Sequence, residues 1–318
     1  MGASSGKVLA MNAALDVVIV TCRSADYIRA CLEPIVEALK QFPGARILLV
    51  DNNSGDDITQ ATAGLSDRLT LVLRDANDGF AAGCHAGASA STADRLLFLN
   101  PDAVVATDAI AALMRTADTH PEAGIVGGRA VLPTGDSDHQ SWMGRPTLWS
   151  ALCFATGASS VFPGSRIFDP ESAHEWDGVA LAVPIVSGGM MLVGREAWDE
   201  LDGFDRTYFL YGEDVDFCLR ARRAGWTPMV TRDAVYTHDV GSSSAGSNRL
   251  TLVMRGRVTT YLRNYPRPVG TIAGWLLVAG TGLRSVGAGL RPPGGRRAHV
   301  PAHWQDTWHR RREWRKGW

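Results

Sequence analysis

Carboxylates at the ends of short apolar runs are the residues of this chain best placed to do chemistry. Leu96-Leu97-Phe98-Leu99-Asn100-Pro101-Asp102 is too short for a helix and ends in an acidic, chain-turning tripeptide. It reads as a buried strand delivering Asp102 to a sheet edge, where ligands of open α/β sheets collect. A carboxylate there can hold a divalent cation, and the cation a diphosphate. That division of labour suits breaking a bond to a nucleoside diphosphate. Asn-Pro-Asp is also ordinary turn chemistry, so the tripeptide alone leaves a solvated turn as the rival. A second run, Ile47-Leu48-Leu49-Val50, likewise meets polar groups at Asp51-Asn52-Asn53-Ser54. A third cluster, Gly212-Glu213-Asp214-Val215-Asp216, crowds acids at a helix start, since Leu219 follows Val215 by one turn. The helix dipole accounts for one or two such acids, not for three led by a glycine and an aromatic.

The elements that carry these groups alternate. Val17 to Val20 predicts a first strand, and the apolar spacing of Ile28, Cys31, Leu32, Ile35, Val36 and Leu39 predicts a helix. Arg46 to Val50, Leu69 to Leu73 and Leu96 to Leu99 follow as strands, with a small-residue helix after Gly79. Strand and helix alternation with short loops predicts right-handed crossovers and a mostly parallel sheet. An acid after the second strand also occurs in dinucleotide-binding folds. Those need a glycine-rich first turn, and Thr21-Cys22-Arg23-Ser24-Ala25-Asp26 has no glycine, which argues against a nicotinamide dehydrogenase. Asp51 is assigned to a nucleotide base or ribose, with capping of the next helix as the bland alternative.

Val17 to Ser24, Asp51-Asn52-Asn53-Ser54, Asn77 to Gly87 and Leu99-Asn100-Pro101-Asp102 together resemble the successive motifs of family 2 glycosyltransferases, and within them the rhamnosyltransferase branch. The resemblance runs from about residue 16 to 245. It implies the GT-A fold: a mostly parallel α/β sheet flanked by helices, here followed by a helical, membrane-associating C-terminal extension. It also implies donor contacts from Thr21, Arg23, Asp51 and Asn53. The loop of Asn77, Gly79, Phe80, Gly83 and His85 is then laid against the nucleotide sugar, with Asn100 and Asp102 also at the donor and Asp102 at the metal. Asp102 is the acid of a degenerate Asp-x-Asp motif whose first position is Asn100, and His85 stands where the family usually has Asn. By the same resemblance Asp214 is the general base, Glu213 helps to orient the acceptor, and His238 of His238-Asp239-Val240-Gly241-Ser242 joins Asp102 at a divalent cation, Mg2+ or Mn2+.

The second half is less regular. Ala109 to Met114 predicts a helix and Gly124 to Gly128 the start of a strand. Residues 137–175 carry no sustained period and are expected to be long loops with short elements around an acceptor. Val183 to Val193 reads as a strand with a close backbone approach at Gly188 and Gly189, both assigned to the acceptor site.

Residues 1–14 are expected to be disordered and lack the apolar core of a secretory signal. Residues 15–248 are the expected catalytic domain, with a nucleotide half to about 130, and 249–318 the extension. Five scattered cysteines suit reduced thiols in the cytoplasm. From Arg284 onward nine Lys or Arg face two acids, although the whole chain carries a formal charge of -1. Trp304, Trp308, Trp314 and Trp318 among those cations suit an anionic membrane surface, with nucleic acid as a lower-ranked reading. Val269 to Leu283 is apolar but short of the roughly 20 residues of a span, and reads as a monotopic or interfacial element, with a buried helix packed on the domain as the alternative.

The resemblance therefore implies an inverting, metal-dependent enzyme at the cytoplasmic face of the cell membrane. It would move rhamnose from dTDP-rhamnose to a polyprenyl-linked saccharide such as polyprenyl-diphosphate-GlcNAc. A UDP-sugar donor (galactofuranose or a hexose) and an inactive scaffold subunit are the alternatives, and oligomer formation stays open.

Overall fold

A computed structural model describes residues 14–132, 141–172, 178–238, 246–289 and 299–318. The N-terminal residues expected to be disordered, up to 13, and the glycine-proline linker at 292–295 lie outside them. Strands β1 (Leu15–Thr21), β2 (Arg46–Asp51), β3 (Leu69–Leu73) and β4 (Arg95–Leu99) pair in parallel, β1 lying between β2 and β4. Between them run α1 (Ile28–Ala38), α2 (Ile58–Thr62) and α3 (Phe80–Ser89), as the alternation predicts.

The chain continues through β5 (Ala103–Val105), α4 (Ala109–Thr119), β6 (Ile125–Val131), β7 (Trp142–Met143), α5 (Leu148–Thr156) and α6 (Ala158–Val161). Next come β8 (Ala180–Ala182), β9 (Ile185–Val186), β10 (Met190–Gly194), α7 (Arg195–Glu200), α8 (Glu213–Ala224) and β11 (Met229–His238). Helices α9 (Gly246–Asn264), α10 (Arg267–Gly289), α11 (His299–His309) and α12 (Arg311–Trp314) complete it.

The large sheet runs β3-β2-β1-β4-β10-β6-β11-β5, with β8 on β11. It is mixed. The nucleotide half is parallel as expected, whereas β10 enters antiparallel between β4 and β6, and β5 and β8 pair antiparallel with β11. Strand alternation sorts the core into two layers. Val17, Ile19, Ile47, Leu49, Leu97 and Leu99 face α1 and α4, while Val18, Val20, Leu48, Val50, Leu96 and Phe98 face α3 and α8. The small residues of α3 let it lie close to β1: a Cβ on Gly83 or Gly87 would stand 2.5 Å from Val20 or 2.4 Å from Val18.

Three expectations are revised. Within 137–175 there is a regular helix, α5, started by a Thr147/Ser150 capping box and stopped at left-handed Gly157 (φ 81°). Its mean spacing is hidden because α5 is apolar on nearly every side. The run Val183 to Val193 is two strands, β9 and β10, separated by a turn at Ser187–Gly189, although the expected close approach exists: a Cβ on Gly189 would stand 2.7 Å from the Tyr236 hydroxyl. The tail tryptophans, expected to seek lipid headgroups, pack on the protein itself. Trp314 is fully buried, Trp304 meets Phe154 at 6.0 Å, and Trp318 lies between Phe209 (5.7 Å) and the Arg255 guanidinium (4.1 Å). Aromatic and basic residues pair as readily with each other as with a membrane. Helix α10 passes through Arg284 without breaking, because that guanidinium folds back onto the Phe154 ring (3.8 Å) and its carbonyl oxygen (2.6 Å).

Candidate active site

The carboxyl ends of β1, β2 and β4 open into one cavity of about 890 Å³. On its nucleotide side stand Thr21 and Arg23 after β1, Asn53 after β2, and Asn77, Gly79 and Phe80 at the start of α3. Asn100 and Asp102 after β4 form its floor, and Gly188, Gly189, Glu213 and Asp214 the wall beside it, where the Asn100 N–H donates to the Gly189 carbonyl at 3.2 Å. Arg23, Asn53 and Tyr211 all line it with left-handed backbones (φ 58°, 54° and 69°). Such conformations in non-glycine residues concentrate where structure is held for function.

The loop before α3 is built by amide chemistry. Asn52 Nδ2 donates to Asn77 Oδ1 and to the Gly79 carbonyl, each at 3.0 Å, while Arg74 donates to Asn52 Oδ1. The Gly79 N–H donates to Asn77 Oδ1 at 3.1 Å. Gly79 itself has φ 96°, and a Cβ there would lie 2.3 Å from the Phe209 carbonyl oxygen. That oxygen accepts from the Phe80 N–H at 2.7 Å. The nucleotide loop is thereby tied to the segment that leads into α8.

Asp214 occupies the first turn of α8 and faces the turn between β9 and β10. Its Oδ2 accepts from the Gly188 N–H at 3.0 Å and its Oδ1 from the Val215 N–H at 2.8 Å. Burial raises the Asp214 carboxyl above its ordinary range, and those two N–H groups oppose the rise. Glu213 is raised well above the glutamate range, first by burial and then by the charge of Asp214. Its Oε2 is buried with no hydrogen-bond partner. Both carboxyls are thus held above their ordinary ranges, and the charge of either disfavours ionisation of the other, the arrangement by which two neighbouring acids can divide roles. The third acid, Asp216, is structural. It pairs with Arg220 (2.7 Å) and accepts from Asn264 Nδ2 (2.6 Å).

Glu213→Gln, which copies the protonated shape, is expected to leave kcat/KM within about tenfold of the parent. It has a second consequence. An acid with a raised folded pKa ionises first in the unfolded chain, so parent stability falls as pH climbs from the ordinary glutamate value toward the raised one. Thermal melts across that window should show the decline in the parent and a smaller one, left by Asp214, in Glu213→Gln.

Some assigned residues lie elsewhere. Asp51 is buried behind the cavity wall and receives the Ser54 N–H at 3.3 Å. Gly83 serves helix-to-sheet packing. His85 is turned away from the cavity: its Nε2 meets the Phe204 carbonyl oxygen at 2.8 Å, its ring packs on Trp198, and burial lowers its pKa. The backbone of His238 pairs with Ala103, the residue after Asp102; its side chain, with Asp239 to Ser244, lies outside the described residues.

Asp102 is 8 % exposed, and its charge, after burial, raises Tyr27 and Cys31. Among the described residues no three His, Cys, Asp or Glu side chains gather as a cation cage. One carboxylate at the floor of a cavity fits a hard divalent cation that takes its remaining oxygens from a diphosphate and water. Asp102 would hold it.

The sequence assignments missed the wall supplied by α9. Arg249, Val253, Arg257 and Tyr261 recur at helical spacing and all line the cavity, so a boundary at 248 cuts through part of the site. Arg257 pairs with Glu171 at 2.8 Å, and Arg249 lies 6.0 Å over the Tyr211 ring. The four-residue recurrence was the available signal.

The family model described as glycosyltransferase like family 2 matches residues 13–255. An N-acetylglucosaminyl-diphospho-decaprenol L-rhamnosyltransferase of Mycobacterium tuberculosis is 27% identical over 245 residues, which is 74% of this chain and 78% of that one. The O-antigen biosynthesis protein RfbC of Myxococcus xanthus is 26% identical over 220 residues, 69% of this chain and 16% of that one. Among solved structures, the mannosyltransferase PcManGT of Pyrobaculum calidifontis, in complex with GDP-Man and Mn2+, superposes with TM-score 0.61 at 17% identity over 96% of this chain and 88% of that one. Staphylococcus aureus TarS 1–349 in complex with UDP-GlcNAc gives TM-score 0.53 at 16% identity, covering 92% and 79%. With the family model spanning both the nucleotide edge and the paired acids of α8, this chain belongs to glycosyltransferase family 2 and is a glycosyltransferase.

Proposed function

We propose that this enzyme transfers rhamnose from dTDP-rhamnose, with inversion, to a polyprenyl-linked saccharide at a membrane surface. The observation that carries the proposal is one cavity lined both by Asp102, after β4, and by Asp214, oriented by the Gly188 N–H. The similarity to a decaprenol-linked rhamnosyltransferase supports the choice of sugar and acceptor.

In the reaction the acceptor oxygen forms a bond to the sugar's anomeric carbon as the bond to the diphosphate breaks. The electron pair leaves on dTDP and the acceptor proton passes to Asp214. Gly188 holds the carboxylate in the orientation that accepts that proton, and burial makes it more basic than an exposed aspartate. Hydrogen bonds among Asn52, Asn77 and Gly79 hold the nucleotide loop in place, which lowers the ordering cost of binding the donor. Asp102 would hold a divalent cation, and that cation would supply charge neutralisation for the leaving diphosphate.

Calorimetry of the protein against dTDP, UDP and GDP, each with and without Mn2+, tests the proposal. Preferred, Mn2+-dependent binding of dTDP is expected, and Asp102→Asn should remove most of the Mn2+ dependence. A preference for UDP would replace rhamnose with galactofuranose or a hexose as the donor sugar. Binding of none of the three would refute donor use.

A further inference from the structure

The exposed large apolar side chains are unevenly placed. Most of those among the described residues fall in two stretches, 148–167 and 272–286. On α10 they are Ile272, Trp275, Leu283 and Val286, spaced three, eight and three residues apart, which is one stripe along a single helix face. Trp275 is 63% exposed and Val286 64%. The opposite face of α10 is committed to the protein. Ala273 and Leu277 are fully buried with Tyr261 and Trp314, and a Cβ on Gly280 would stand 2.6 Å from the Phe154 ring.

The second stretch adjoins the first. Helix α5 packs on α10, a Cβ on Gly157 would lie 3.5 Å from Leu283, and Arg284 donates to Ser160 Oγ at 2.9 Å. Leu148, Trp149 and Leu152 project from α5, followed by Val161 (69% exposed), Phe162 and Ile167 (62% exposed). Trp149 Nε1 donates to the Ile167 carbonyl at 2.7 Å, so the loop lies beside the helix. Soluble chains seldom expose apolar side chains gathered in this way.

The charge on these stretches has one sign. Between Arg145 and Phe168, and again between Arg267 and Gly289, there is no Asp or Glu. The cations are Arg145, Arg166, Arg267 and the half-buried Arg284. Arg145 sits 5.9 Å from the Tyr265 ring, which places it beside the start of α10, and Arg166 precedes Ile167. Apolar side chains with arginines and no acid match the headgroup zone of an anionic bilayer.

From these observations we infer that the outer faces of α5 and α10, with the 161–167 loop, dock the enzyme in the plane of an anionic membrane. Within Arg267–Ala288 an 18-residue window reaches a mean hydropathy of 1.3, enough in length and composition for a span, and a third of that window is buried. Spanning would strip Ala273, Leu277 and Gly280 from their partners, so α10 lies flat. The inference rests on the lipid-linked acceptor proposed above and says how that acceptor is met. Met143, Gly144 and Pro146 line the cavity immediately before α5 begins, so a saccharide entering the cavity keeps its lipid on the membrane side. The chain end packs instead on α9, where Arg255 donates to the Gly317 carbonyl at 3.0 Å and the Trp318 N–H to Thr259 Oγ1 at 2.8 Å, so the exposed tail cations Arg312, Arg315 and Lys316 are assigned no part in this face.

Flotation of the full chain with phosphatidylcholine vesicles, with and without phosphatidylglycerol, tests it. The triple variant Trp149→Ser, Ile167→Ser, Trp275→Ser should lose about a hundredfold in partition to anionic vesicles with its melting temperature unchanged. Arg145→Gln, Arg166→Gln, Arg267→Gln should lose about as much on anionic vesicles and little on neutral ones. Arg312→Gln, Arg315→Gln, Lys316→Gln should bind as the parent does. Parent-like binding of the serine variant, or loss of binding in the tail variant, would overturn the inference. So would a lipid-free dimer that the serine variant converts to monomer, since the face would then belong to a second copy. Titration with dTDP in the absence of vesicles separates the two proposals: donor binding without vesicle binding refutes the docking face alone.

Discussion

Asp214→Asn is expected to lower transfer by about 10²–10⁴-fold, the range for losing a positioned general base, while the dissociation constant for the nucleotide stays near the parent value. The asparagine still fills the first turn of α8 and still accepts from the Gly188 N–H through its carbonyl oxygen. It cannot take up the acceptor proton. Single-turnover kinetics beside calorimetry of dTDP and Mn2+ separates the two quantities, and weakened nucleotide binding would sink the base assignment. The parent should also show an acid limb in kcat/KM above the ordinary aspartate pKa. Burial raises the Asp214 carboxyl, so it protonates, and the rate falls, at a higher pH than an exposed aspartate would require.

Gly79→Ala is the second large effect. The new methyl would sit 2.3 Å from the Phe209 carbonyl oxygen at a backbone φ of 96°, so strain and the loss of the Phe80 to Phe209 hydrogen bond fall together. A cost of about 2–4 kcal/mol is expected, with donor affinity lost as the loop shifts. Gly64→Ala is the control. Its φ is 69° with nothing within 4 Å, so only the conformational cost of about 1 kcal/mol remains. Denaturant unfolding of both variants, with nucleotide titration, tests the difference. Equal losses would show that contact with Phe209 carries no weight.

Much of this site was legible because each half of the fold writes its chemistry at a strand or helix end. Leu96 to Leu99 is bounded so sharply by Asn100-Pro101-Asp102 that both the strand and its acid follow, and Glu213 and Asp214 stand out against a helix whose buried face is short. His85 and Gly83 were misplaced for one reason. They belong to a motif whose residues alternate between the cavity and the sheet beneath it, and residue type does not say which way a helical position points. His85 faces Phe204 and Trp198 because α3 turns it there. Helix α5 escaped notice because exposure on its outer face is apolar too, which erases the period that marks an amphipathic helix. The tail tryptophans show the opposite failure, a composition that fits two environments equally. Trp314 has the protein interior as its partner, and only tertiary contact reveals that.

The insertion of β10 has a consequence for how the chain is made. β4 and β6 do not touch in the sheet order; the strand between them is Met190–Gly194. A nascent chain that has released β4 must therefore wait until residue 194 clears the ribosome before that edge is covered. At roughly 5–20 residues per second this leaves an open strand edge for about 5–20 s. During that interval the parallel-stranded first half offers a template for pairing with other chains. Truncation near residue 130 is thus expected to yield an aggregating fragment, because its sheet is completed from a part of the sequence not yet present.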